Sequence, residues 1–397
     1  MPLNIAMLFE LGPDDNGSIG GGVELHAINL SKELVKQGHE VTFITGAIPE
    51  CKEKYNIDGV EIRRLELCSL IKSSYNPQKL NFSRQAFFLM KASLSRQKKI
   101  IENESFDIFH GHVYSAGIAA YILAKKQSAK FINTIHGSYY KHWKQITKNR
   151  ASSFFYRRME RSIAPYLAKK SDFQIHTDYD FADTVKKWCK LETQNKIVTV
   201  LNGVDIKKFS PDIKPDPMFD QKKGPKIIAT RRLVAKNGVI FLVRSFKEIL
   251  KKFPSAELFI IGDGPEKQRL ETESKLLGIH RQTHFIGMVP NDRIPSFLAA
   301  ADIVVVPSIV EASSISVLEA MSMRKPIVAS NIPGIREISD YGKNCELVSP
   351  MNWEDLAKGI AKLLNDEEKA EDLARLGFEE STKNFTWEKK AKEIEQL

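Results

Sequence analysis

Asn4-Ile5-Ala6-Met7-Leu8-Phe9, Gly20-Gly21-Gly22-Val23-Glu24-Leu25 and Glu40-Val41-Thr42-Phe43-Ile44-Thr45 follow one another near the start of the chain. The first and last are short apolar runs, the composition of a buried strand. Between them a glycine-rich turn opens residues 23–37, where Leu25, Ile28, Leu34 and Val35 fall near helical spacing. Strand, helix and strand in succession make a βαβ unit with parallel strands. Further strands are expected at 106–110, 130–134, 173–177 and 197–201, completing one doubly wound domain over residues 1–210. Pro211, Pro215, Pro217 and Pro225 then mark a linker, 211–225. A second series of apolar runs (226–229, 257–261, 284–286, 303–307, 327–329 and 345–348) predicts a second such domain over 226–386. The charged amphipathic segment 387–397 is expected to rejoin the first domain.

Composition narrows the function classes. With 397 residues, 42% hydrophobic and 27% charged, the chain reads as a two-domain globular protein with no apolar run able to span a bilayer. The apolar start lacks a basic leader and ends at Glu10, so it reads as a strand rather than a signal peptide, and the expected location is the cytoplasm. Cys51, Cys68, Cys189 and Cys345 lie too far apart for a zinc motif or a disulfide framework. The net charge of +10 is uneven: residues 1–210 hold 31 Lys and Arg against 21 Asp and Glu, and the remainder 28 against 28. Residues 63–170 alone hold 21 basic against 5 acidic, a surface suited to an anionic partner such as membrane lipid or nucleic acid.

Several motifs sit where strands end. Gly17-Ser18-Ile19-Gly20-Gly21-Gly22-Val23-Glu24 offers a close backbone approach and a helix N-terminus to a phosphate, but Leu25 stands at the third glycine position of a dinucleotide fingerprint, which argues against a nicotinamide dehydrogenase. Gly262-Asp263-Gly264-Pro265 forms a second glycine turn. Arg231, Arg232 and Lys236 follow a strand, where α/β folds place ligands and where cations suit a diphosphate. In Pro307-Ser308-Ile309-Val310-Glu311-Ala312-Ser313-Ser314-Ile315-Ser316-Val317-Leu318-Glu319, the serines open a helix. Glu311 then lies in the loop before it and Glu319 inside it, two carboxylates able to accept from sugar or ribose hydroxyls. His136, at the end of the 130–134 strand, is positioned to hydrogen-bond a substrate. Asp178-Tyr179-Asp180 has the D-x-D spacing of a metal site, yet the residues after it read as an acid-capped helix start, and no metal is expected.

Taken together and in order, Gly21-Gly22-Val23-Glu24, His136-Gly137, Asn202-Gly203-Val204-Asp205, Arg232-Leu233 with Lys236, Ile261-Gly262-Asp263-Gly264-Pro265, Phe285-Ile286-Gly287, the Glu311 and Glu319 pair and Pro333-Gly334 resemble the retaining glycosyltransferases of the GT-B fold, glycosyl transferases group 1, typified by sucrose synthase and lipid-directed mannosyltransferases. The resemblance implies two Rossmann-like doubly wound domains facing across a cleft, with the nucleotide held by the second. It places Glu319 on the ribose, Arg232 and Lys236 on the diphosphate, and the loop of Gly287, Met288 and Val289 near the base. Glu311 and His136 would hold the transferred sugar. Gly21 and Gly22 would close over the diphosphate, with Gly262 and the amides of Ser313, Ser314 and Ile315 also on the donor. Arg and Lys replace a metal in stabilising the leaving diphosphate. No cofactor is implied, the donor being a substrate, either a UDP-sugar or GDP-mannose. Three positions depart from the commonest pattern: Arg231 stands where glycine is usual, Asn237 separates Lys236 from Gly238, and Ala312-Ser313-Ser314 replaces a frequent Gly-Phe-Gly.

Two other readings compete. A UDP-sugar 2-epimerase of the same fold needs no acceptor and leaves the basic first half unexplained. A non-catalytic membrane-docking subunit needs neither Glu311, Arg232, Lys236 nor His136. Nucleic-acid binding has no recognition motif to accompany the charge. Apolar and cationic residues mix over 83–99, which reads either as a solvated helix packed on the sheet or as a contact with an anionic membrane at the inner face of the cell membrane, where a glycan or lipid-linked acceptor would be met.

Overall fold

The apolar runs form strands because their helical crossovers cover both faces of each sheet. The computed structural model describes residues 1–10, 12–14, 21–46, 51–65, 104–138, 140–141, 143, 150–220 and 224–397; the basic segment 83–99 and Gly17 to Gly20 lie outside them. The first strands are β1 (Asn4–Leu8), β2 (Glu40–Gly46), β3 (Lys54–Ile57), β4 (Val60–Leu65), β5 (Ile108–His112), β6 (Lys130–Ile135), β7 (Phe173–His176) and β8 (Ile197–Thr199). They make one sheet in the order β3-β4-β2-β1-β5-β6-β7-β8, parallel except for the β3 and β4 hairpin. Helix Gly22–Lys36 connects β1 to β2, and helix Val113–Gln127 connects β5 to β6.

The hairpin is absent from the sequence expectation. Exposed Lys54 and Asn56 alternate with half-buried Tyr55 and Ile57, so β3 is no continuous apolar run. Its turn carries the readable signal: Asp58 and Gly59 have φ of 51° and 87°, the pair of positive values that matches the right-handed twist of a two-residue hairpin.

The second sheet comprises β9 (Lys226–Thr230), β10 (Glu257–Ile261), β11 (Thr283–Gly287), β12 (Ile303–Val306), β13 (Ile327–Ser330) and β14 (Glu346–Val348). It runs β11-β10-β9-β12-β13-β14, parallel throughout. Phe246 and Leu242 of helix Val239–Lys252 pack with Ile360 of helix Trp353–Asn365 on Ile227, Ile260 and Val305. Truncating a fully buried phenylalanine such as Phe246 to alanine costs about 3–5 kcal/mol.

The chain divides into two compact units, Met1–Leu201 with Lys390–Leu397, and Asn202–Lys389. Residues 202–225 count with the second. Within the first, Ala391 and Ile394 join a core with Met7, Phe43, Ile62 and Ile175, and His39 Nε2 lies 3.2 Å from Glu395 Oε1. Each sheet reverses its winding once, between β1 and β5 in the first and between β9 and β12 in the second. Connections leave in opposite directions there, opening a crevice at the carboxyl ends of the strands. No described helix is long and apolar enough to cross a membrane.

Candidate active site

In the second unit the reversal point is built from the residues that follow β9 and β12. Arg231 comes directly after β9. Its Nη2 donates to Ser308 Oγ at 2.7 Å and to Asn237 Oδ1 at 3.2 Å, and its Nη1 donates to Ser316 Oγ at 3.2 Å. The same Nη2 is ion-paired with Glu311 Oε2, to which Ser308 Oγ also donates at 3.0 Å. Burial pushes the Glu311 carboxyl up, but the charges of Arg231 and Lys236 and the hydrogen bonds from Arg231 and Ser308 hold it below its ordinary value. Glu311 is therefore ionised at neutral pH.

Main-chain contacts fix this geometry. The amide of Ile309 donates to the Lys236 carbonyl at 2.8 Å, joining the loop after β9 to the loop after β12. Gly238 closes the Lys236 turn at φ +65°, and a Cβ there would meet the Pro307 carbonyl oxygen at 2.0 Å. Gly334, at the start of helix Pro333–Ile338, lies equally close to the Glu311 loop, for a Cβ would meet the Ala312 carbonyl oxygen at 2.0 Å.

Glu319 lies on helix Ile315–Ser322 and is buried. Burial pushes its carboxyl up to about 7 against the opposing charges of Lys208 and Arg231. One carboxylate of the pair is thus fixed as an anion while the other titrates near neutrality. Ser313 and Ser314 divide their duties. The Asn202 amide donates to Ser313 Oγ at 2.8 Å and Asn202 Nδ2 to the Ser313 carbonyl at 2.6 Å, so these Ser313 atoms clasp the Asn202 loop rather than facing a donor. Ser314 stands at the N-cap without a side-chain cap bond, and its buried Oγ has no hydrogen-bond partner among the described residues. Ile315 begins the helix. Gly262, at φ +133°, donates its amide to the Gly287 carbonyl at 2.8 Å, and the loop after β11 leaves Met288 exposed and Val289 half-buried.

Of the expected cations, Lys236 is half-buried and Arg232 is exposed. The cation on Glu311 is Arg231, which the sequence groups with the cations after β9 and which the resemblance marks as a departure from pattern. Successive residues leaving a strand point to opposite sides, so only one of two adjacent arginines can turn towards the loop after β12.

In the first unit, Gly21 is the extended N-cap of helix Gly22–Lys36 and makes no side-chain cap bond; both Gly21 and Gly22 are exposed. His136 follows β6. Its Nε2 lies 2.9 Å from His112 Nδ1, the two rings stack at 5.2 Å, and His26 meets the His136 ring edge-on at 4.5 Å. Burial, reinforced by the neighbouring His26 and His110, holds His136 well below the ordinary imidazole range, and it is neutral at pH 7. Burial does the same to His112, with His110, His136 and His26 adding to it. The Asp178 side chain caps helix Tyr179–Trp188, accepting from the Phe181 amide at 2.7 Å, and Asp180 pairs with Lys141 at 2.6 Å. The D-x-D stretch is a helix start, as its sequence reads.

Two doubly wound sheets, parallel apart from the β3 and β4 hairpin, have the GT-B fold. The family model described as glycosyl transferases group 1 matches residues 213–379, and that described as glycosyltransferase family 4 matches residues 20–208. Together the two models match most of the chain, whose second half is of the group 1 glycosyltransferase type, and the protein is a glycosyltransferase enzyme. It is 24% identical to a phosphatidyl-myo-inositol mannosyltransferase of Mycolicibacterium smegmatis, over 88% of this chain and 83% of the relative. The fold is similar to that of sucrose-phosphate synthase from Thermosynechococcus elongatus, at a TM-score of 0.84 and 18% identity, covering 100% of this chain and 98% of that one. It is also similar to HepE of Anabaena, solved in complex with UDP-glucose, at a TM-score of 0.74 and 17% identity over 99% and 98% of the two chains.

Proposed function

We propose that the protein is a retaining, metal-independent glycosyltransferase that moves a hexose-type sugar from a UDP-sugar or GDP-mannose to a glycan or lipid-linked acceptor at a membrane surface. The observation that carries this reading is the Arg231, Ser308 and Glu311 cluster, which presents a carboxylate ionised at neutral pH beside Lys236 at the reversal point of the second sheet. Glu311 accepts from hydroxyls of the transferred sugar, and Glu319 from the ribose. The bond from the anomeric carbon to the diphosphate oxygen breaks with its electrons going to the diphosphate. Arg232, Lys236 and the amides at the start of helix Ile315–Ser322 stabilise that charge without a metal. The acceptor hydroxyl attacks the same face and gives its proton to the departing phosphate oxygen, so configuration is retained and no protein nucleophile is needed. His136, neutral, contributes one hydrogen bond to the substrate.

The membrane part of the reading rests on helix Arg150–Lys170. Its exposed face carries Phe154, Phe155 and Tyr166 among Arg158, Arg161, Lys169 and Lys170. Its one acid, Glu160, is turned inward and accepts from Ser138 Oγ at 2.8 Å and Trp143 Nε1 at 3.1 Å. Aromatic side chains between cations, with no exposed acid, suit an anionic lipid surface. The similarity to a mannosyltransferase named for phosphatidyl-myo-inositol supports a lipid acceptor.

Calorimetric binding of a panel of UDP-, GDP- and ADP-sugars in EDTA tests the donor assignment. One donor class should bind, and Arg232→Ala and Lys236→Ala should each weaken it at least about tenfold, the loss of one charge-assisted contact. Failure of every donor to bind would refute the catalytic reading in favour of a docking subunit.

A further inference from the structure

Three histidines distant in sequence meet at the carboxyl end of the first sheet. His112 is the last residue of β5, His136 follows β6, and His26 comes from helix Gly22–Lys36 after β1. One ring nitrogen from each lies within 4.8 Å of the other two. We propose that His26, His112 and His136 form a binding site for a zinc-class divalent transition-metal ion.

The partners of His112 fix its tautomer. Its Nε2 lies 2.9 Å from Met7 Sδ, and a thioether sulfur can only accept, so His112 carries its proton on Nε2. The Nδ1 lone pair is therefore aimed at His136 Nε2, 2.9 Å away. A ring with its far N–H held by a neighbour and its near lone pair directed at other nitrogens has the orientation of a metal-ligating histidine. His136 joins it by moving its own proton to Nδ1. Zinc holds nitrogen ligands at about 2.0–2.1 Å in a tetrahedron, hence roughly 3.3 Å from one another. Closing the 4.8 Å span to that distance takes about 1.5 Å, within reach of side-chain rotation. Three imidazoles without a carboxylate favour zinc, copper or nickel over magnesium or calcium. The fourth position of the ion stays open to water or substrate.

Binding of the ion is independent of the catalytic reading; its consequence rests on that reading. If His136 touches substrate, the ion and the substrate compete for one ring, and zinc inhibits an enzyme that needs no metal.

The test uses the full chain, stripped with EDTA, desalted and titrated with zinc chloride by calorimetry. One equivalent should bind. Affinity should fall at least about tenfold in His26→Gln and in His112→Gln, the minimum that even loss of an outer-shell partner produces. It should be unchanged in His280→Gln, whose ring is exposed and outside the cluster. Cobalt gives a readout that needs no variant, since the strong visible bands of a four-coordinate nitrogen site are expected on the unmodified chain. The proposal is overturned if that chain takes up no stoichiometric zinc, if binding is unchanged in both folded triad variants, or if bound cobalt is six-coordinate. Donor turnover measured beside it separates the two ideas: stoichiometric zinc without inhibition keeps the metal site and refutes the role of His136.

Discussion

Replacing Arg231 with methionine keeps much of the side chain's apolar volume and removes the guanidinium from Glu311. The pair is well enclosed, with 7% and 18% of the two side chains exposed. Breaking one side of a buried pair costs about 3–5 kcal/mol because a charge is left uncompensated. Glu311 keeps the 3.0 Å hydrogen bond from Ser308 and the nearby charge of Lys236, which places the expected cost near the lower end, about 3 kcal/mol. Removing both charges together, Arg231→Met with Glu311→Gln, leaves no buried ion, so the double variant should lose less than the sum of the singles by about 2 kcal/mol. The sign of the pH dependence follows. In the unsubstituted chain the Glu311 carboxyl is lowered, so it stabilises the fold above the unfolded carboxyl pKa and that contribution is lost as acid protonates it. In Arg231→Met, burial dominates and the carboxyl rises, so the variant loses stability as pH rises. The deficit of the variant should be largest at pH 7 and shrink towards pH 4. Urea unfolding of the full chain, followed by tryptophan fluorescence across that range, measures it. A cost below about 1 kcal/mol at pH 7, or strict additivity in the double variant, would refute the reasoning.

Three further outcomes are expected. Glu319 has its carboxyl raised from 4.5 to about 7, so the fold is more stable while it is protonated and loses roughly 3 kcal/mol as pH climbs through that interval, at 1.36 kcal/mol per pH unit. Glu319→Gln should remove that slope, and parallel pH profiles of thermal stability for the two proteins would contradict the assignment. Gly238→Ala forces a Cβ against the Pro307 carbonyl at φ +65° and should cost about 1–3 kcal/mol while weakening donor affinity through the displaced Lys236 loop; a stable variant with full affinity would show that the turn is not needed. Flotation with anionic vesicles at low salt should be reduced by Phe154→Ser with Phe155→Ser while donor hydrolysis in solution is unaffected, whereas no flotation of the unsubstituted chain removes the membrane from the account.

The parallel strands were legible because helices cover both their faces and leave continuous apolar runs such as Ile303 to Val306. The β3 and β4 hairpin was not, since polar Lys54, Asn56, Glu61 and Arg63 interrupt it, although Asp58-Gly59 carried the turn signal. At the candidate site, the sequence drew attention to Lys236 among the cations after β9, to Glu311 in the loop after β12 and to Glu319 in the helix that follows, and the family resemblance supplied their roles. Choosing between Arg231 and Arg232 required knowing which one turns inward, and adjacent cations do not disclose that. That the Ser313 hydroxyl and carbonyl hold Asn202, more than a hundred residues away, is visible only in the fold; the expectation placed the Ser313 amide, a different group, on the donor. His26, His112 and His136 show no local spacing at all. Only the order β2-β1-β5-β6 gathers them, so their juxtaposition belongs to topology rather than to motif.

The most direct test of the central claim is the stereochemistry of donor hydrolysis in EDTA, followed by proton NMR from the first turnovers. The account predicts that the released sugar first appears with the donor's anomeric configuration, at a rate indifferent to EDTA, and that Glu311→Gln abolishes it. Inverted configuration, or turnover that appears only when a divalent ion is added, would contradict it.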